Sequence, residues 1–411
     1  MSGTTFSRSI LAFTSIVVVG GTACTADRVV APNDPFENLS ERRGVFQRYF
    51  AIGTSVSAGV QSDGLVAATQ ATSWPAQLAA AAGRTLAQPY IDGAGCRSPL
   101  VGPLFLGTRM SGEGAGDDPA NLSCSALRSD VFLPVDNVGL NGARANDALY
   151  TTPENITDQG NAKIYGRVLQ PGQTQISTMM ARNPKLVSVE LGANEILNAR
   201  SGIAIPGGDL ATVEEFVANY DKVLDSVQTV TKMAVVAGLI DDLGHAAAFR
   251  TGNELYNDAG EFSNFGITVA EDCKDNPNLI FVPVRVPVAV ATAAAVGAYT
   301  LSCTAGGQFD QDFVLTPAEV SIVNGEMHAM TAHIQAEAAR RGFAYFALGT
   351  LYDRNDIKGP FSVSAIMFSP KPYGDYFSLD GLHPSALGQT ILARAAAQAL
   401  NDTYSLGISL P

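Results

Sequence analysis

The sequence predicts an α/β protein organised around a parallel sheet. Short apolar runs of strand length, residues 186–191 (LVSVEL), 233–239 (MAVVAGL) and 343–348, alternate with segments of helical pattern. Two of those segments open on capping boxes, Thr212-Val213-Glu214-Glu215 and Thr316-Pro317-Ala318-Glu319. In such a box a Thr hydroxyl and a Glu three positions on satisfy free amides at a helix start. Buried-type strands alternating with amphipathic helices build parallel sheets covered on both faces.

The N-terminus stands apart. Residues 10–19 (ILAFTSIVVV) are apolar and follow a polar stretch with one positive charge, Arg8. Gly20 to Ala23 are small and lead directly to Cys24. A short apolar core followed by small residues is a secretory signal, too short to span a bilayer. The Cys after the small residues resembles the lipobox of bacterial lipoproteins, with Gly21 where that pattern has a larger aliphatic residue. The resemblance implies cleavage before Cys24 and more than one acyl chain on it, since a single chain anchors only marginally. Thr25 follows, not the Asp of inner-membrane retention, which implies an outer-membrane lipoprotein. The expected division is a signal peptide at 1–23, a lipidated Cys and flexible tether at 24–44, and one domain at 45–411. Insertions are expected at about 91–135 and 240–310.

Residues 47–52 read as the first strand. Ser73-Trp74-Pro75 opens an Ala-rich helix, with Ser73 as N-cap and Pro75 in the first turn. Residues 91–135 are rich in Gly, Pro and Ser and carry Cys96 and Cys124, which suggests a disulfide-tied loop region. Residues 170–182 have a helical pattern. Residues 281–301 are Val/Ala-rich, but Pro283, Arg285, Pro287 and Gly297 argue against a membrane span. They read as an insertion packed on the core, with an apolar flap near the substrate as the sharper alternative. A final Ala-rich helix starts at Ser385.

Without Cys24, four cysteines remain: Cys96, Cys124, Cys273 and Cys303. An even number in an exported chain suggests disulfides, with three possible pairings. Nearest-neighbour pairing closes two local loops. Neither pair has zinc spacing, no HExxH occurs, and no metal or organic cofactor is expected. The net charge is −13 with no Lys/Arg cluster, which argues against a nucleic-acid partner.

Acyl transfer by serine needs a serine at a strand end, a base, an orienting carboxylate and donors for the oxyanion. Gly53-Thr54-Ser55-Val56-Ser57-Ala58-Gly59 follows the first strand and offers Ser55. Asp380-Gly381-Leu382-His383-Pro384 offers a carboxylate and an imidazole on one short turn. Asp242 and His245 have the same spacing and are the rival pair. His328 and His333 sit five apart in a helical segment and read as structural or exposed. Asn194, in Gly192-Ala193-Asn194-Glu195, offers a side-chain NH₂, or caps the next helix. Gly142, in the Gly-rich turn at 137–143, offers a backbone amide.

Taken in order, these segments resemble the four blocks of the SGNH hydrolases, also called GDSL esterases and lipases. Gly53-Thr54-Ser55 stands where the family has Gly-Asp-Ser, and Gly142 at the second-block glycine. Gly192-x-Asn194-Glu195 stands at Gly-x-Asn-Asp, and Asp380-x-x-His383-Pro384 at the last block. Thr54 and Glu195 depart from the family pattern at positions that are not catalytic in the family. The resemblance implies a three-layer α/β/α sandwich with a flavodoxin-like parallel sheet of about five strands. It implies a serine esterase with a Ser55–His383–Asp380 triad and an oxyanion hole of Ser55, Gly142 and Asn194. The substrate would be a small-molecule or lipid ester, and the lipid on Cys24 would be the tie to a membrane. The alternative is a surface lipoprotein that keeps the fold and binds a lipid or glycan without turnover.

Overall fold

The computed structural model describes residues 44–410. The signal peptide, Cys24 and all but the last residue of the expected tether lie outside them. Strands in chain order are β1 (Tyr49–Gly53), β2 (Leu186–Glu190), β3 (Ala234–Gly238), β4 (Phe249–Thr251), β5 (Ile267–Val269), β6 (Leu279–Phe281), β7 (Tyr299–Leu301), β8 (Val314–Leu315) and β9 (Ala344–Ala347). The central sheet has the order β1-β2-β3-β9 and is parallel throughout. Its register pairs Tyr49 with Leu186, Val187 with Ala234 and Val235 with Ala344. Strands β1, β2 and β3 are buried at every position, as a parallel sheet covered on both faces requires.

A further segment lies along the free edge of β1. The Ala51 amide donates to Asp136 O, the Val138 amide to Ala51 O, and the Leu140 amide to Gly53 O. Counting this segment as the second of five, the strand order is 2-1-3-4-5, the flavodoxin-like order. The chain is therefore an α/β protein with a parallel central sheet.

Helices pack on both faces. Ala145–Tyr150, Gln175–Arg182, Val213–Val230 and Pro317–Arg341 pack together on one side, and Trp74–Ala81 and Ala386–Tyr404 on the other. Both expected capping boxes form, with Thr212 Oγ1 accepting from the Glu215 amide and Thr316 Oγ1 from the Glu319 amide. Two details differ from expectation, and a third fills in the Val/Ala-rich segment. Ser73 stands at the N-cap of its helix without capping it, because its hydroxyl accepts from Gln88 Nε2. The helix expected from residue 170 begins at Gln175, since Thr174 is its true cap. Residues 282–296 are helical in spite of Pro287, whose missing N–H costs one bond near the helix start. Among the described residues, no helix is long and apolar enough to cross a membrane.

The small sheets β4-β6-β8 and β5-β7 lie between β3 and the helix Pro317–Arg341 in the chain. Disulfides join Cys96 to Cys124 and Cys273 to Cys303, the nearest-neighbour pairing.

Candidate active site

The site forms where β1 and β2 end side by side. In this strand order the connections leave the two strands toward opposite faces there, so their carboxyl ends open a crevice. Ser55 begins a one-turn helix, Ser55–Ala58, immediately after β1. The turn is tight because residue 53 is glycine. A Cβ there would clash with Ser57 Oγ and lie 3.0 Å from Glu190 Oε2. Gly59 ends the turn at φ +85°, a left-handed conformation that glycine adopts without strain.

Glu190, the last residue of β2, holds this turn from below. Its Oε2 accepts from the amides of Thr54 at 3.0 Å and Ser57 at 3.2 Å and from Ser57 Oγ at 2.9 Å. Its Oε1 accepts from Thr54 Oγ1 at 2.8 Å. Thr54 thus has a partner built for it: a hydroxyl that donates to a carboxylate on the neighbouring strand. Burial pushes the Glu190 carboxyl up, against the Thr54 and Ser57 donors. Gln175 Nε2 ties the same strand end to the edge segment by donating to Gly53 O at 2.8 Å and Val138 O at 2.6 Å. Gln389 Nε2 donates to Val56 O at 3.0 Å, linking the turn to the C-terminal helix.

His383 arrives from the other end of the chain. Its Nδ1 lies 2.8 Å from Asp380 Oδ2. Asp380 also accepts from the amides of Asp63 at 2.6 Å, Leu382 at 3.0 Å and His383 at 2.9 Å, and from Ser378 Oγ at 3.1 Å. Burial opposes its charge, but the His383 imidazole and the His383 and Leu382 amides hold the carboxyl well below the usual range. An ionised carboxylate only accepts, so His383 Nδ1 carries the proton and Nε2 is the free acceptor. Tyr352 donates from its buried hydroxyl to Leu382 O at 2.7 Å and steadies the loop.

The Asp63 amide reaches Asp380 through an unusual turn. Ser62 and Asp63 both have positive φ, 53° and 56°, inside a two-residue hairpin closed by mutual Gln61–Gly64 bonds. Non-glycine residues in this region carry strain that surrounding bonds must hold. Here Ser378 Oγ accepts from the Ser62 amide at 2.7 Å, and Arg97 and Arg109 pair with the Asp63 carboxylate at 2.9 and 2.8 Å.

Ser55, Asn194 and His383 line one apolar pocket of about 80 Å³. Gly142, Asn194 and His383 line a second, polar cleft of about 900 Å³. Asn194 and His383 therefore border both, with Ser55 on one side and Gly142 on the other. Asn194 does not cap a helix; its Nδ2 donates one hydrogen to Ala143 O at 2.9 Å and has a second to offer. Gly142 stands at φ +76° beside Asn161. Glu195 is buried, and its Oε1 accepts from the Ala145 amide at 2.7 Å. Burial pushes its carboxyl up to about 7.

The rival pair is not assembled. His245 Nδ1 meets Asp353 Oδ1 at 3.0 Å near the surface, and Asp242 Oδ1 caps the Gly244 amide at 2.7 Å. His328 meets Asp241 O at 2.6 Å and His333 meets Asp221 Oδ1 at 2.7 Å. The one group among the described residues close enough to hold a metal is Asp272 with Cys273 and Cys303, and both thiols are already joined in a disulfide.

The fold and the gathered side chains define an open α/β protein with a polar constellation at its switch point. The model of the GDSL-like lipase/acylhydrolase family matches residues 49–396, and the chain belongs to that family. Similar solved structures include a GDSL-like lipase from Parabacteroides merdae ATCC 43184, at 11% identity and a TM-score of 0.35. That match covers 87% of this chain and 95% of the other. An extracellular lipase from Streptomyces rimosus is 14% identical with a TM-score of 0.34, covering 86% and 98%. No curated protein matches the chain.

Proposed function

We propose that the protein is a lipid-anchored, exported serine esterase that hydrolyses acyl or acetyl esters in two steps. One observation carries the reading: Ser55, Asn194 and His383, from three distant parts of the chain, line one pocket, with Asp380 bonded behind His383. His383 Nε2 takes the proton from Ser55 Oγ, which bonds to the ester carbonyl carbon. The oxyanion accepts from the amides of Ser55 and Gly142 and from the second hydrogen of Asn194 Nδ2. Collapse breaks the carbon–oxygen bond to the alcohol, and the imidazolium returns its proton to the leaving oxygen. Water then attacks the acyl-serine by the same route, releasing the acid and restoring Ser55.

On this reading residues 45–411 act as one domain, since the nucleophile near one end and the base near the other share one pocket. Family membership supports ester hydrolysis as the reaction class. The exported, outer-membrane lipoprotein form rests on the lipobox-like run ending at Cys24, and two disulfides fit an oxidising compartment. Mass spectrometry of the mature N-terminus tests it. A multiply acylated Cys24 is expected, and a free Cys24 or cleavage elsewhere refutes the anchor.

Hydrolysis of p-nitrophenyl acetate by the domain from Thr25, beside Ser55→Ala, tests the activity. Turnover that disappears in the variant is expected. A folded wild type without turnover favours the reading as a binding lipoprotein.

A further inference from the structure

The two cavities that meet at Asn194 and His383 differ in chemistry. Val56, Ile196, Leu239, Leu243, Met327 and Leu348 line the small one, which suits a short acyl chain. The large one is rich in asparagine, including Asn141, Asn146, Asn155, Asn161, Asn198 and Asn219. Five of these spend one Nδ2 hydrogen on a protein acceptor (Asn141, Asn155, Asn161, Asn198 and Asn219), and the second amide hydrogen of each, with the Asn146 amide, is of the kind that complements hydroxyl groups.

At its His383 end the cleft holds a cation without a partner. Arg200 lies in the short helical run Leu197–Ser201, which follows the turn carrying Asn194, and it lines the cleft. Among the described residues its guanidinium has no hydrogen bond or ion pair; it feels Asp63, Arg97 and Asp380 only through space. Neither carboxylate is free to pair with it. Asp63 already binds Arg97 and Arg109, and Asp380 is committed to His383 and four further donors. Three guanidiniums thus face two carboxylates there. Arg200 is half-buried, so its guanidinium stays open to a ligand in the cleft, and burial lowers its hold on the proton. Other carboxylates of the cleft bond locally: Asp147 to the Arg144 amide and Thr151, Asp158 to the Gly160 amide and Asn161, Glu215 to the Thr212 amide, and Glu195 through one oxygen to the Ala145 amide.

We infer that the substrate is a short-chain acyl ester of a polyhydroxylated alcohol bearing a carboxylate or phosphate, with Arg200 as the anchor for that anion. This rests on the esterase reading above. The acyl group enters the apolar pocket and is transferred to Ser55, while the alcohol lies in the cleft and leaves with the proton from His383. Arginine suits the task because its fork matches the paired oxygens of carboxylate and phosphate.

Two substrate pairs test the inference, each differing only in the anion: O-acetyl glucuronic acid against O-acetyl glucose, and acetylglycerol 3-phosphate against acetylglycerol. The expected kcat/KM favours the anionic member of at least one pair by about 10- to 100-fold, the worth of one charge-assisted contact. The pair with the larger ratio identifies a sugar acid or a glycerophosphate as the source. Arg200→Gln should bring that ratio close to one, and Arg200→Lys should restore part of it. Wild-type ratios near one in both pairs, or a preference that survives Arg200→Gln, overturns the anchor. Turnover of p-nitrophenyl acetate that is lost in Ser55→Ala secures the esterase reading separately, so failure of the anchor and failure of the esterase are distinguishable.

Discussion

Glu195 makes stability depend on pH in a window where most carboxylates are silent. It is 2% exposed, its Oε1 accepts one amide bond, and its Oε2 has no partner among the described residues. Burial raises the carboxyl from 4.5 to about 7, against the Ala145 amide, its own amide and Arg144, with Asp147 adding to the rise. A raised value means that the native state holds the proton more tightly than the unfolded chain does. The stability tied to that proton is complete below pH 4.5 and is lost as pH rises through about 7. At about 1.4 kcal/mol per pKa unit, the loss is about 3 kcal/mol. Glu195→Gln keeps the oxygen that accepts from Ala145 and removes the titration. Urea unfolding of both proteins at pH steps through this window isolates the effect, because Glu190, Asp136 and Asp258, also raised by burial, cancel in the difference. The variant should gain on the wild type by about 3 kcal/mol across the window. Parallel curves would refute the argument that burial without a second partner controls this carboxyl.

Further outcomes follow from the same geometry. Asn194→Ala should lower kcat by about 10²–10³ in a folded protein, and an unchanged rate excludes it from the oxyanion hole. Asp380→Asn should cost about 10⁴ in kcat by favouring the wrong tautomer, while His245→Ala should do far less; the reverse ranking moves the base to the surface pair. With an apolar pocket of only about 80 Å³, p-nitrophenyl acetate and butyrate should outrun the octanoate, and a rising series would refute the short-acyl assignment. Cys96→Ser with Cys124→Ser opens a loop of 28 residues, for a loss of about 3–4 kcal/mol in urea unfolding. No change in the midpoint would contradict the loop-closure argument.

Much of the candidate site was legible because its parts sit where local sequence changes character and, taken in order, resemble the blocks of one family. Ser55, Asn194 and Gly142 follow strands or mark glycine-bearing turns, and His383 precedes a capped helix. The supporting groups left no such mark. Glu190 reads, like Ser188, as a polar letter in a mostly apolar strand, and its partner Thr54 lies 136 positions away. The Ser62–Asp63 turn lacks the glycine that usually announces positive φ at both positions, because Asp380 and Ser378 hold it from 316 or more positions away. The edge segment at 136–140 reads as a turn because Asp136, Asn137 and Gly139 resemble one. It pairs as a strand since Asn137 finds Ser57 O and Gln88 Oε1 at 2.9 Å each. Arg200 was invisible for a different reason: what distinguishes it is the absence of a partner among the described residues, which only three dimensions reveal.

The most direct test of the central claim is to treat the folded domain with a fluorophosphonate and locate the adduct by peptide mass spectrometry. The account predicts a single modification on Ser55, absent when His383 is replaced by Ala. Labelling at another residue, or none in a folded wild type, contradicts it.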